Sequence, residues 1–256
     1  MHYIVNVSGG LTSFEALRRV VVRHGSGANV IPIFADTKIE EPDLYRFLGD
    51  IERHLSIKII RLADGRTPFD VMKDERCITM HGMAPCSKKL KREVIDRYVA
   101  SIAGPVTRVF GLDWSEMHRV KRMRELSAWP LWFPLIEKPL VTKQDIISYL
   151  HSVGIEEPQL YKGGFTHSNC GGGCVRAGKK QFIHLLHTRP DTFALWEAHE
   201  QNMREYLDKD IFILVKHKQT LRQVREEAER GAVVCDDDED GTVCGCMSAL
   251  FQAEML

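Results

Sequence analysis

Along the first half of the chain, short apolar runs alternate with segments whose apolar residues recur at helical spacing. Residues 2–7 form a β-rich run, and 14–24 place Phe14, Leu17, Val20 and Val21 three or four positions apart, which predicts a helix. The alternation continues with a strand at 29–35 (NVIPIFA) and a helix at 42–54 that puts Leu44, Phe47, Leu48 and Ile51 on one face. A strand at 56–62, a helix at 86–102 and a strand at 107–112 follow. Strands alternating with helices predict an α/β fold, a doubly wound and mostly parallel sheet covered on both faces. In such a sheet the loops at the carboxyl ends of the strands are the natural place for a site.

The second half changes character. A proline- and aromatic-rich passage (AWPLWFPLIEKPL), in which Trp129 and Trp132 read as core, leads to a helix at 143–153. A glycine- and cysteine-rich loop spans 163–178, helical patterns cover 179–207, a strand is expected at 211–216 and a charged helix at 220–231. Glu197, Glu200 and Glu205 read as an exposed helix face. The division expected is a nucleotide-binding α/β domain at 1–155 and a cysteine-containing, helical C-terminal region at 156–256 packed on it.

Charge and cysteine content narrow the function. The 35 Lys+Arg balance 35 Asp+Glu, so bulk electrostatic coating of nucleic acid is not expected, although a local basic patch is compatible. No apolar run approaches the roughly 18–20 residues of a membrane span, and MHYIVNVSGG does not resemble a leader, so a cytoplasmic protein is expected. In a reducing compartment the seven cysteines read as ligands, nucleophiles or buried thiols rather than as a disulfide framework.

Two segments point to a bound anion. Ser8-Gly9-Gly10-Leu11-Thr12-Ser13 joins the first strand to the first helix. Glycines let the backbone approach a phosphate, the N–H groups of a helix start point at it, and Ser8, Thr12 and Ser13 add hydroxyls. The alternative is a junction whose serines only cap the helix; the position in the first βα turn favours phosphate. Asp36 and Thr37 end the second strand beside this loop and are either nucleotide contacts or a simple turn.

These residues together resemble the adenine-nucleotide α-hydrolase superfamily, which includes PP-loop ATP pyrophosphatases and the phosphoadenosine phosphosulfate (PAPS) reductase family. The fold this implies is HUP-like. Ala84-Pro85-Cys86-Ser87-Lys88-Lys89-Leu90-Lys91 resembles the family's cysteine-led helix start, and Gly111-Leu112-Asp113 through Arg119 resembles its glycine–acid–arginine segment. Gly164 to Gly178 is similar to the cysteine loop of PAPS-reductase-like proteins, including members from phages. The resemblance implies that Gly111, Arg119 and Lys91 bind an adenine nucleotide, with Mg²⁺ on its phosphates, and that Asp113 and Arg119 are candidate catalytic residues. Thr12 stands where the PP-loop pattern usually has Asp.

Cys170-Gly-Gly-Gly-Cys174 can wrap two thiolates around one centre, zinc or an iron–sulfur cluster. Cys86, at a helix start whose dipole lowers a thiol pKa, is the third candidate. The resemblance implies a [4Fe-4S] cluster on these cysteines; either Cys246 or Cys244 supplies a fourth ligand or three cysteines leave one iron open, and His167 stands three residues before Cys170 as a neighbour of the cluster. Tail cysteines also serve as nucleophiles in sulfonucleotide reductases, so Cys244 and Cys246 are candidate catalytic residues, whereas Cys77 and Cys235 read as structural.

Three functions follow: ATP-dependent sulfur transfer to a nucleic acid or nucleotide, sulfonucleotide (PAPS or APS) reduction by a tail cysteine, or a non-catalytic metal-stabilised nucleic-acid-binding module. Expected partners are an adenine nucleotide, a nucleic-acid substrate, an unspecified sulfur or electron donor and a second copy of the chain in a homodimer. Lys88, Lys89, Lys91 and Arg92, with Arg119, Lys121, Arg122 and Arg124, are either solvated helix faces or a phosphate-binding rim.

Overall fold

Five parallel strands, β1 (His2–Asn6), β2 (Val30–Asp36), β3 (Ile60–Ala63), β4 (Val106–Val109) and β5 (Leu131–Trp132), form one sheet in the order β3-β2-β1-β4-β5. The computed structural model describes residues 1–79 and 84–231. Helices α1 (Leu11–His24) and α2 (Pro42–Leu55) cover one face, and α4 (Glu93–Ala100) covers the other. Alternation along the strands divides the core between them: Val5 and Phe34 pack with α1 and α2, whereas Ile4, Ile33 and Ala35 pack with α4. Burial on both faces is why these strands read as nearly unbroken apolar runs. The α/β fold and its parallel sheet are those the alternation predicts.

Several boundaries differ from the sequence reading. The third strand begins at Ile60 rather than 56, because α2 runs to Leu55 and Ser56 caps it in the left-handed conformation (φ 49). The fourth strand stops at Val109. The expected helix at 86–102 is split into a π-helical segment, Ser87–Arg92, and α4. Helix α3 (Pro68–Asp74) was not expected, although the Thr67/Asp70 capping box with Pro68 at its start is a legible signal. Helix α5 (Met117–Leu126) and β5 were also not expected.

The second half contributes α6 (Lys143–Ser152), α7 (Gln159–Lys162), α8 (Lys179–Thr188), α9 (Pro190–Leu207) and α10 (Leu221–Glu229). Side chains of α8–α10 share a core with Met72 and Ile78 of the first half. Residues 211–216 do not form a strand; a single antiparallel bridge joins Leu214 to Gln219. The reason is Glu200, which is buried at 2% exposure rather than surface-facing. Its carboxylate accepts the N–H groups of Ile213 (2.7 Å), a backbone donor that a ladder would need, and of Leu221 (2.6 Å) at the start of α10. Glu197 instead pairs with Arg225 at 2.9 Å. Trp129 and Trp132 are only partly buried at the edges of two core clusters. Among the described residues no helix is long and apolar enough to cross a membrane.

The exit of β4 is pressed against the start of α1. A Cβ on Gly111 would lie 2.6 Å from the Thr12 carbonyl oxygen and 2.8 Å from the Ser13 Cα, so only glycine lets the two backbones meet. Substituting Gly111→Ala is expected to lower stability by about 1–3 kcal/mol, read as a lower urea midpoint at an unchanged m-value. An unaltered midpoint would mean that the two segments separate freely.

Candidate functional site

A cavity of about 320 Å³ opens at the carboxyl ends of β1, β2 and β4. It lies where the chain leaves β1 for β2 on one side and reaches β4 on the other, the crevice in which ligands of parallel α/β sheets bind. Val7, Phe34, Phe110 and Leu112 give it apolar walls, and polar groups from four segments converge on it. An apolar cleft with a few directed polar groups is the usual form of a small-molecule site.

The first polar segment is the glycine loop. Gly9 adopts φ +77, and a Cβ there would stand 2.7 Å from the Leu44 side chain. Ser13 Oγ donates to the Gly10 carbonyl (2.8 Å) and accepts the Ser8 N–H (3.1 Å), so Ser8 and Ser13 shape the loop with their own hydroxyls. Gly10 is the N-cap of α1 and offers no side chain to cap it. The N–H groups of the first turn have no partner within the helix, and Gly10, Thr12 and Ser13 line the cavity. This is an arrangement suited to an anion.

Cations come from three directions. Lys91, Arg119 and Lys143 all line the cavity. Arg119 is paired with Glu116 one helical turn earlier, and both side chains are largely buried. Asp113 accepts the Ser115 N–H (2.9 Å) and hydroxyl (2.6 Å), which fixes the turn that leads into α5. Lys143 donates to the Thr166 carbonyl at 3.1 Å. Of the other basic residues singled out in the sequence, Lys89 pairs with Glu75 and Glu93, and Arg92 with Asp96.

Asp36 and Thr37 stand beside this site without lining it. Asp36 accepts the Lys38 N–H and the Tyr45 hydroxyl, each at 2.8 Å, and the Lys38 ammonium at 3.1 Å. Burial pushes its carboxyl up, but these three bonds together hold it below the ordinary value. Thr37 donates to Glu40 at 2.9 Å. Glu40, not picked out in the sequence, is the junction of the region. Its side chain is 1% exposed and faces Lys91 at 3.5 Å, while its other oxygen accepts the Cys170 N–H at 2.7 Å.

The cysteine loop closes over the glycine loop, with Ser168 Oγ donating to the Gly9 carbonyl at 3.3 Å. Cys170 and Gly171 both adopt left-handed conformations, φ 52 and φ 62. A Cβ on Gly173 would fall 1.9 Å from Trp196 Nε1, so the loop is packed hard against α9. The turn brings Cys170 and Cys174 into hydrogen-bond contact. That bond pulls the Cys170 thiol down, but burial and the Glu40 charge outweigh it and leave it raised. Cys86 packs against the same core cluster, and burial pushes its thiol up to about 11. The helix-start lowering expected for Cys86 is thus reversed, because desolvation exceeds the dipole term.

Among the described residues no group of three or more His, Cys, Asp or Glu side chains is arranged to hold a metal ion. Cys170 and Cys174 are both buried, and Cys86 packs against the same core cluster. Cys244 and Cys246, the remaining candidate ligand and nucleophile positions, and Cys235 lie outside the described residues.

His167, raised in the sequence only as a neighbour of the cysteines, lines the cavity. Its Nδ1 is buried with no hydrogen-bond partner among the described residues. Burial, then the charges of Lys143 and Lys91, push its pKa down to about 4. Glu116, Lys143 and Ser168 also escaped the sequence reading; only the i, i+3 spacing of Glu116 and Arg119 was a usable signal.

No family model matches the chain. It is 23% identical over 210 residues to an uncharacterised protein of Methanocaldococcus jannaschii, covering 80% of this chain and 42% of that protein. The chain therefore spans less than half the length of the curated relative it matches. A phosphoadenylyl-sulfate (PAPS) reductase from Candida auris, solved as a phosphate complex, superposes with a TM-score of 0.46 at 15% identity. The overlap covers 65% of this chain and 79% of that one. The fold assignment made above rests on the sheet itself.

The cost of keeping His167 neutral sets a pH dependence. Its folded pKa of about 4 lies below the ordinary histidine value of 6.5, so between these limits the unfolded chain binds a proton that the folded one refuses. Stability is expected to fall as pH drops from about 6.5 to about 4, by up to roughly 3 kcal/mol from this residue. Urea unfolding at a series of pH values should show a shallower acid loss for His167→Gln than for the wild type; parallel curves would assign the loss elsewhere.

Proposed function

We propose that the protein binds an adenine nucleotide in this cavity and uses it for ATP-dependent sulfur transfer to a nucleic acid or nucleotide. One observation carries the reading: the loop that holds the Cys170–Cys174 pair also walls the cavity and is hydrogen-bonded to the glycine loop through Ser168 and Gly9. A phosphate cradle and a thiol pair that share a wall suit a reaction linking nucleotide cleavage to sulfur chemistry. The motif resemblance to PP-loop and PAPS-reductase-like proteins supports the same assignment.

In this reading the polyphosphate rests on the first turn of α1, with Arg119 and Lys143 against its oxygens and Mg²⁺ arriving on the nucleotide as part of the substrate. An acceptor oxygen attacks the α-phosphorus and pyrophosphate leaves, its growing charge met by fixed N–H groups and cations rather than by reorganising water. A sulfur nucleophile from an external donor then displaces AMP from the adenylated acceptor. His167 is neutral at physiological pH and presents an unpaired ring nitrogen to the ligand without adding charge. The thiols of Cys170 and Cys174 are the groups through which sulfur would be relayed. For this, an external persulfide donor passes its outer sulfur to the Cys170 thiol by exchange, releasing the donor thiol. The Cys170 persulfide is the sulfur nucleophile that displaces AMP. Cys174 then attacks the mixed disulfide, freeing the thiolated acceptor and leaving a Cys170–Cys174 disulfide for an external thiol reductant to reopen.

Sulfonucleotide reduction would use the same cavity with a tail thiol, so nucleotide preference separates the two readings. Calorimetric titration with ATP, APS and PAPS, each with Mg²⁺, is expected to show ATP bound in preference. Arg119→Met should weaken it by about tenfold or more, the loss of a charge-assisted contact. Cys170→Ser should retain ATP affinity and lose sulfur transfer. A preference for APS or PAPS would transfer the assignment to reduction, and no binding of any of the three would overturn the nucleotide reading.

A further inference from the structure

The turn that forms one lip of the cavity has two faces. Asp113, Ser115, Glu116 and Arg119 line the cavity, while Trp114 and Met117 from the same turn are 48% and 58% exposed. An indole left half in water at the mouth of a ligand cavity has no role in the core clusters of the fold. Beyond it, α5 buries Val120 and Met123, so Met117, Lys121 and Arg124, at i, i+4 and i+7, form one outward stripe with Arg122 beside it.

Several cations of the fold are held between carboxylates. Arg46 is held between Asp43 and Asp50, Arg225 between Glu197 and Glu229, and Lys89 between Glu75 and Glu93. Among the described residues Lys121, Arg122 and Arg124 make no ion pair, and the Arg124 guanidinium instead lies over the Phe133 ring at 5.5 Å. In a chain of zero net charge, three exposed cations against the single exposed acid Glu125 give this helix a net positive outer face that runs out from an exposed aromatic lip.

We infer that Trp114 and the outer face of α5 form the docking surface for a single-stranded polynucleotide, whose reacting nucleotide reaches the cavity over the Trp114 lip. Cations take the phosphates and the indole stacks a base, the pairing by which single strands are held. An acidic peptide would use the cations and leave Trp114 and Met117 without purpose, and a duplex would leave no base free to stack. The last clause of the inference rests on the proposed nucleotide cavity; the docking surface does not.

The test is fluorescence anisotropy with a labelled oligouridylate of about 20 nucleotides, a duplex of the same length and heparin as competitor. The variants are Lys121→Glu/Arg122→Glu/Arg124→Glu, Trp114→Ala and Trp114→Phe, each checked for an unchanged thermal melt. Salt-sensitive binding of the single strand is expected, weakened about tenfold or more by the triple charge reversal and several-fold by Trp114→Ala. Trp114→Phe, which keeps a stacking ring, should restore most of the loss. All variants should keep wild-type ATP affinity, measured separately, so that failure of the cavity reading registers in that titration alone. Single-strand binding unaffected by the charge reversal overturns the surface. Equal affinity for strand, duplex and heparin, with Trp114→Ala silent, reduces it to a bare polyanion face and overturns the stacking claim.

Discussion

A carboxylate with almost no access to water has to be compensated by its neighbours, and Glu40 is compensated by three separate parts of the chain. The Thr37 hydroxyl comes from the end of β2, the Lys91 ammonium from the π-helical segment, and the Cys170 N–H from the glycine-rich loop. Each partner alone would leave an expensive charge. Together they fix the distance between the sheet, one cationic wall of the cavity and the thiol pair. The Cys170 N–H is free to reach Glu40 because its residue is left-handed, a conformation that turns the amide out of the local helix. Cavity and thiols are thus parts of one framework rather than two sites that happen to adjoin.

Rigidity also accounts for the state of the thiols. Cys170, Cys174 and Cys86 sit in the same apolar cluster as Trp196 and Phe165, where the charged form of sulfur is penalised. The Glu40 charge adds to that penalty at Cys170. Burial thus leaves the Cys170 and Cys86 thiols raised, which separates them chemically from an exposed, reactive cysteine.

How much of this was legible follows from the range of the interactions involved. The β1–α1–β2–α2 unit was readable because its signals are local: apolar runs of strand length, helical spacing from Phe14 to Val21, and a glycine turn between them. The cavity's glycine loop, Arg119 and the thiol pair were readable for the same reason. Glu40 and Glu200 were not, since a glutamate's burial is decided by backbone N–H groups that arrive from 130 and 13–21 residues away. The strand expected at 211–216 failed through that same Glu200. Helix α5 was obscured because its charged residues outnumber its apolar ones, leaving only Val120 and Met123 to mark a buried side. His167 drew attention for its nearness to cysteines in sequence, whereas its place in the fold is the wall of the cavity.

The hydrogen bond from Ser168 to Gly9 joins residues 159 apart in the chain. During synthesis the first strand, its loop and α1 emerge and can pair with β2 long before the cysteine loop exists, and contacts of such span are the slow ones to form. The cavity is therefore completed late, when the second half folds back onto a platform already built. A partly made chain carries the glycine loop without its cover, and local opening of the second half would uncover it again. A ligand that touches both loops recognises a finished molecule, and its binding energy adds directly to the docking of one half on the other.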